Sequence, residues 1–389
     1  MDIGTRIERR QRRYEKPRLI RNYGSLLPVA HVDEPSNRGP VLEQLLDHLD
    51  PVFGGELPPN AYVHGPFGSG KSAIVRALFA HLGGVSRDTY SIVHTSTRAV
   101  PPTVPEFVYI DMREVTSEFA FCHGVLNALV DEPVPDHGVS TAEFRERLYT
   151  LLGSSQAVVA VDHVDDPGGI DAADLADLFA GLPSTVSWLA IGRDDPDETS
   201  LSRDTATSIR VERYRRRVLV DVLMARASAG LAHQALAHDL ARRIAVWAEG
   251  NAHDGLTALF VAADRADREG HTRLAEADVT AAIDEIPRPS VSLDRVLSLP
   301  ANKLLVLGHL VDVDPDDRVS VTATTEAISA EPDVDLSAGT VKRFLYEMAE
   351  TGIVERVQSH RSTGKGRPPS RLELRFPPIA FRRLYDFQQ

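Results

Sequence analysis

Residues 61–72 read AYVHGPFGSGKS, and this stretch decides the fold. AYVHG (61–65) is a short apolar strand that runs into a glycine-rich turn. GPFGSGKS (65–72) fits the spacing G-x-x-x-x-G-K-[ST], and the residues from Lys71 to Leu82 read as a helix with Ile74, Leu78 and Leu82 on one face. The chemistry follows from the residue types. Gly65 and Gly70 let the backbone wrap closely around an anion, while Pro66, Phe67, Gly68 and Ser69 complete the turn. The N–H groups of the turn and the helix N-terminus face that anion. Lys71 reaches the outer phosphates of a nucleotide, ATP or ADP, and the Ser72 hydroxyl is placed to hold Mg²⁺.

Working outward, strands and helices alternate from residue 25 to 212. FVYIDM (107–112), AVVAVD (157–162) and VSWLAIG (186–192) are apolar runs, separated by helical stretches at 117–130, 141–152 and 171–182. Unbroken apolar strands of this length are buried on both faces, so the pattern predicts a parallel sheet covered by helices. Asp162 ends the most apolar strand and so is the candidate to orient Mg²⁺.

From 213 to 288 the strands stop and several helices follow, among them 235–250 with Leu236, Leu240, Ile244 and Trp247 at helical spacing. Pro287 and Pro289 mark a linker, and 292–389 reads as three helices (302–311, 322–330, 336–352) followed by a hairpin whose turn is RSTGKGRPPSR (361–371). That is the winged-helix pattern. Val341, Phe344, Leu345 and Met348 form the buried face of its third helix. Thr340, Lys342, Arg343 and Tyr346 are left to meet a DNA groove, and Arg361, Lys365, Arg367 and Arg371 of the wing are left for the phosphate backbone or minor groove.

Composition excludes some functions and qualifies others. No run of about 18 apolar residues exists to span a membrane, and the polar, basic start carries no signal peptide, so the expected location is cytoplasmic. The single Cys122 excludes a disulfide framework, and His123, His137 and His163 lack the spacing of a metal site. The net charge is −13, and the only lysines are Lys16, Lys71, Lys303, Lys342 and Lys365. Acid excess with scarce lysine resembles proteins adapted to concentrated salt. At 1 M salt the Debye length is about 3 Å, so DNA recognition there leans on close contacts. Residues 1–24 form a basic arm with Arg6, Arg9, Arg10, Arg12, Arg13, Lys16, Arg18 and Arg21.

The order of these parts, with the strings RLIRNYGSLLP (18–28), LDPVFGGELPPNAYVHGPFGSGKS (49–72), LSR (201–203) with RVERY (210–214), and LSLPANKLLVLGHL (297–310), resembles the archaeal origin-recognition/cell-division-control family of AAA+ replication initiators. The resemblance implies an α/β P-loop AAA+ core (25–212), an all-helical lid (213–288) and a C-terminal winged-helix domain. It implies binding of double-stranded DNA at origin repeats under nucleotide control. Self-association, other initiator subunits and a replicative helicase are the implied partners. Arg203 falls at the arginine-finger position.

Three departures from the family pattern concern turnover. The Walker B acid pair reads Asp162-His163, sensor 1 falls at Gly192–Arg193, and sensor 2 reads GNAH, which puts His253 at the nucleotide. His163 can serve as a base only with altered geometry, and a neutral imidazole does not clamp a phosphate as a guanidinium does. The reading is an initiator-like protein with slow ATPase activity at most. The alternative is a winged-helix transcriptional or plasmid-maintenance regulator with an ATP-sensing core. A working motor ATPase is disfavoured by the missing glutamate.

Overall fold

The structure is a computed structural model that describes residues 18–30, 35, 38–93, 104–130, 132–153, 155–314, 318–358 and 370–388. The chain forms two compact units, one of residues 31–213 and the other of residues 1–30 with 214–389.

The unit 31–213 is built on five parallel strands, β1 (Ala61–His64), β2 (Glu106–Asp111), β3 (Ala157–Asp162), β4 (Val186–Ile191) and β5 (Thr207–Arg210), in the order β2-β3-β4-β1-β5. Every residue of β3 is buried because alternate side chains enter two different cores. Val158 and Ala160 pack with Leu45, Leu49, Ile74 and Leu78 on one face of the sheet. Val159 and Val161 pack with Phe121, Phe144, Leu148 and Phe179 on the other. Burial on both faces is what gave these strands their unbroken apolar sequence. The edge strand β5 buries only Ile209 and so left no such signal. The helix opened by Lys71 continues to Val93, well past the expected Leu82.

In the other unit, helices Arg216–Gly230, His238–Trp247, Ala252–Arg268 and Glu276–Glu285 precede the winged helix. Its helices are Ala301–Asp312, Val321–Ser329 and Ala338–Glu350, and its hairpin pairs β6 (Val354–Gln358) with β7 (Ser370–Leu374) antiparallel. Two further helices, Leu293–Leu297 and Pro378–Gln388, were not foreseen. The last one is tied to the helix Ala252–Arg268 by an Arg383 Nε–Asp264 Oδ1 pair at 2.8 Å, with Asp264 fully buried and also bound by Arg268. One continuous core joins Leu259 and Phe260 to Val306, Leu345, Phe376 and Phe381.

The described start of the chain differs from the expected arm and boundary. Leu19 and Ile20 are buried, their N–H groups donate to Asp267 Oδ1 at 3.1 and 3.2 Å, and Ile20 bridges Leu231. Residues 18–30 therefore pack with the helices of their own unit rather than opening the nucleotide-binding core at residue 25. The apolar pair Leu19-Ile20 drives this, since it has a core to enter. The remaining basic residues of the arm, Arg6 to Lys16, lie outside the described residues. Among the described residues no helix is long and apolar enough to cross a membrane.

Candidate nucleotide site

β1 delivers the chain into the loop at Gly65, whose φ of 147° and whose approach to Val211 O (2.2 Å from an added Cβ) exclude any side chain. Gly68 and Gly70 also take positive φ, 72° and 85°. These turns bend the loop around toward the N-terminus of the helix that Lys71 opens. Lys71 is 8% exposed, and its Nζ donates to the carbonyls of Gly65 at 2.6 Å and Pro66 at 3.1 Å. Burial pulls its pKa down to about 8, against the opposing pull of Asp162 and Asp165. Ser69 is fully buried, its carbonyl accepting a bond from the Arg38 guanidinium. Its hydroxyl makes no hydrogen bond among the described residues. Ser72 follows, partly exposed, in the first turn of the helix. A glycine cradle, helix N–H groups and a buried ammonium held against the loop fit the phosphates of a nucleotide.

Asp162 stands at the C-terminal end of β3, 1% exposed. Its Oδ1 accepts the His163 N–H at 2.7 Å and its Oδ2 accepts the Tyr109 hydroxyl. The Arg76 guanidinium lies 4.4 Å over the Tyr109 ring. The carboxylate is thus held in place by these bonds, and Ser72 and Asp162 are the pair that fits a divalent cation.

His163 adopts φ 61°. Its Nδ1 lies 3.2 Å from Asp111 Oδ1 and 3.6 Å from Asp162 Oδ1. Asp111 also takes Arg113 at 2.9 Å (Nε–Oδ1) and 2.5 Å (Nη2–Oδ2). Burial alone would lower the His163 pKa, but the Asp162 charge and the Asp111 hydrogen bond outweigh it and raise the value. Burial likewise opposes ionisation of Asp111, yet its bonds to His163 and Arg113 hold it well below the usual carboxylate range. The ring is thereby favoured in its charged form, which has no lone pair with which to accept a proton. This weighs against the expectation of His163 as a base.

Gly192 directly follows β4, with its N–H on Val63 O at 3.0 Å. A Cβ there would stand 2.5 Å from the Tyr62 hydroxyl, so an asparagine at this position has no room. Arg203 sits exposed on the short turn Ser200–Asp204 and makes no ion pair among the described residues. His253 belongs to the other unit and is buried there. Its Nε2 accepts the Leu293 N–H at 3.2 Å, which ties it to the start of a short helix. The structure therefore gives His253 a backbone partner within its own unit.

On the winged helix, Thr340 bonds the N-cap Ser337 and Lys342 is half-buried. Arg343 pairs with Glu347 at 2.8 Å and lies over Phe344. Tyr346 lies beneath the Arg356 guanidinium, and Arg371 pairs with Glu373 at 2.6 Å. Arg361, Lys365 and Arg367 lie outside the described residues. Among histidines the sequence reading did not weigh, His271 lies close to Glu269 and Asp278, and His309 close to Glu331 and Asp333. Asp278 already accepts the Ala275 N–H at 2.8 Å as a helix cap. Arg38, Tyr109 and Asp111 were missed by sequence reading. Only Asp111 left a signal, a second acidic residue closing a strand next to the one that ends in Asp162.

Comparison with known proteins agrees with this layout. A family model described as an AAA ATPase domain, a nucleotide-binding fold, matches residues 36–189. The ORC1-type DNA replication protein 1 of Sulfolobus acidocaldarius is 26% identical over 312 residues, covering 76% of this chain and 74% of that protein. The ORC1-type DNA replication protein 9 of Halobacterium salinarum is 24% identical over 331 residues, covering 83% and 86%. The solved structure of the Aeropyrum pernix ORC1 protein in complex with DNA superposes with a TM-score of 0.61 at 23% identity, over 94% of this chain and 96% of that one. With an AAA+ core, a helical region and a C-terminal winged helix, the chain is distantly similar over most of its length to ORC1-type archaeal DNA replication proteins and shares the fold of a solved ORC1 structure.

Proposed function

We propose that this protein is a nucleotide-controlled, initiator-type DNA-binding protein that holds ATP or ADP with Mg²⁺ and turns ATP over slowly or not at all. The observation that carries the reading is the glycine loop with a buried Lys71 on its carbonyls, next to Ser72 and Asp162, beside a histidine paired to Asp111 where a base would have to stand. Mg²⁺ would neutralise the phosphates between Ser72 and Asp162. Lys71 would leave the carbonyls of Gly65 and Pro66 for the phosphate oxygens, while Tyr109 keeps Asp162 oriented. A site that binds without turning over acts as a switch, since two nucleotide states of different affinity for DNA are enough. Arg203, exposed on its turn, is the residue available to a nucleotide held by a neighbouring copy. The winged helix would grip duplex DNA through Thr340, Lys342, Arg343, Tyr346 and Arg371, with the wing beyond. That a protein of this fold has been solved in complex with DNA supports DNA binding.

The test is recovery of genomic DNA fragments by the purified protein, with and without ATP, in concentrated salt. Enrichment of repeats near replication start regions, sharpened by ATP, is the expected result. Enrichment at promoters would make the protein a regulator instead, and no enrichment would remove DNA from the function.

A further inference from the structure

The helix Glu118–Leu129 carries two others on its aromatic residues. Phe119 meets Phe144 of the helix Thr141–Leu152 with ring centroids 5.0 Å apart, and Phe121 meets Phe179 of the helix Ala172–Ala180 at 6.0 Å. Among the three helices lies a cavity of about 690 Å³, entirely within the unit 31–213. Buried Phe121 and Cys122 belong to its floor. Lys71, Ser72 and Asp162 do not line it, so the nucleotide site leaves it unused.

Its two walls differ in charge. On the helix Thr141–Leu152, Arg145 is already paired with Glu118, and Tyr149 stands 41% exposed. On the helix Ala172–Ala180 and its cap, Asp171, Asp174 and Asp177 are exposed at three-residue spacing and share one face, where like charges repel. The helix N-terminus accounts for Asp171, which accepts the Ala173 N–H at 2.8 Å, and for Asp174 in the first turn. It does not account for Asp177, which lies beyond that turn. Neither Asp174 nor Asp177 makes an ion pair among the described residues. An aromatic face across from free carboxylates suits a guanidinium, which stacks on the one and donates to the other.

The sequence supplies such a group. Residues 1–17 (MDIGTRIERRQRRYEKP) hold Arg6, Arg9, Arg10, Arg12, Arg13 and Lys16, with Ile3, Ile7 and Tyr14 among them. The chain after them is anchored in its own unit through Leu19 and Ile20. Fully extended, a stretch of about 17 residues reaches roughly 55–60 Å, enough to meet a neighbouring molecule. We propose that the cavity seats the arginine-rich N-terminal segment of a second copy of the chain, with a guanidinium between Tyr149 and the carboxylates of Asp174 and Asp177. Copies are then linked through a surface separate from the nucleotide. Concentrated salt screens the exposed charges, so the aromatic and apolar contacts carry a larger share of the link there.

The experiment is sedimentation of the full chain over a series of protein and salt concentrations. It compares the wild type, a groove variant (Asp174→Arg with Asp177→Arg) and an arm variant (Arg9→Glu, Arg10→Glu, Arg12→Glu and Arg13→Glu), each checked for native circular dichroism. The wild type is expected to self-associate, and each variant to do so about tenfold more weakly or worse. Mixing the two variants should recover part of the association, since one brings an intact arm and the other an intact groove. A fluorescein-labelled peptide of residues 1–17 should bind the arm variant, and adding Asp177→Arg or Tyr149→Ala should weaken it about tenfold. Glu146→Arg, which reverses an exposed charge on the same helix as Tyr149 but outside the cavity, should change little. A wild type that stays monomeric, variants that associate like it, a mixture without recovery, or a peptide as sensitive to Glu146→Arg as to Asp177→Arg would each overturn the proposal. An arm variant that associates normally and loses only DNA affinity would overturn it too, and would assign the segment to nucleic acid.

Discussion

His163 Nδ1 lies 3.2 Å from Asp111 Oδ1, across the ends of two neighbouring strands in which Asp111 and Asp162 are register partners. Replacing the histidine alone is therefore expected to be uninformative. A glutamate at 163 would face the two carboxylates of Asp111 and Asp162, whose charge raises its pKa and repels it. The variant that restores a base is His163→Glu with Asp111→Asn, which removes the competing charge. Steady-state phosphate release from the double variant should exceed that of the wild type by on the order of 10². Lys71→Ala serves as the blank. If the double variant is no faster, the position of His163 is not what limits turnover.

Much of this site is legible in the sequence, and the reason is physical. The phosphate loop and Asp162 are fixed by local backbone demands that force residue type, glycine at φ 147° and 85° and a carboxylate at the end of a strand buried on both faces. The strands β2, β3 and β4 announced themselves because each has an apolar run to place between covering helices. What stayed hidden depends on partners distant in sequence. Arg38 and Ser69 are 31 residues apart, and Tyr109 and Asp162 are 53 apart. Arg193 meets Asp165 across 28 residues. The helix Arg216–Gly230 was obscured by its arginines, and the helix Pro378–Gln388 by Pro377 and Pro378 at its start. The boundary at residue 25 failed because Leu19 and Ile20 are short of any periodicity, yet find Asp267 and Leu231 in the fold.

Gly230 is the place where that N-terminal segment is tested most directly. Its carbonyl accepts the N–H groups of Arg21 and Asn22 at 2.8 and 3.1 Å. A Cβ there would lie 2.4 Å from Leu26 Cγ. Gly230→Ala should destabilise the protein by about 1–3 kcal/mol through overpacking. Leu26→Ala leaves a cavity on its own, but combined with Gly230→Ala it relieves the clash. The two changes should then cost clearly less than the sum of the singles in a denaturation series. Additive costs would mean that the segment does not pack there in solution.

Glu285 gives the stability a defined pH dependence. Its Oε1 accepts the Ile379 N–H at 3.2 Å, and burial raises its pKa despite that bond and the charges of Arg265 and Arg268. A carboxyl raised in the folded state favours folding when protonated. That contribution is full below the unfolded value and is lost as the pH rises through the folded value. Glu285→Gln keeps an oxygen for Ile379 and removes the buried charge. It should raise the melting temperature at pH 7 to 8, with the gain shrinking as the pH falls into the carboxylate range. A gain that persists unchanged in acid would assign the effect to something other than this ionisation.

Glu347 governs the basic character of the winged-helix face. It pairs with Arg343 at 2.8 Å and with Lys303 at 3.0 Å, and those two hydrogen-bonding cations hold its pKa below the usual range. Arg343 is therefore half neutralised before any phosphate approaches, whereas Lys342, one residue earlier, makes no ion pair among the described residues. The two neighbours should behave differently on DNA. Lys342→Ala is expected to lower affinity for all duplexes and to reduce the dependence of log K on log salt by about one unit. Arg343→Ala should do less. Glu347→Gln frees both cations and should tighten binding, with a steeper salt dependence, although it touches no nucleic acid itself. Fluorescence anisotropy over a salt series separates these outcomes. If Glu347→Gln leaves both affinity and slope unchanged, Arg343 and Lys303 do not face the duplex, and the third helix of this domain is not the element that enters the groove.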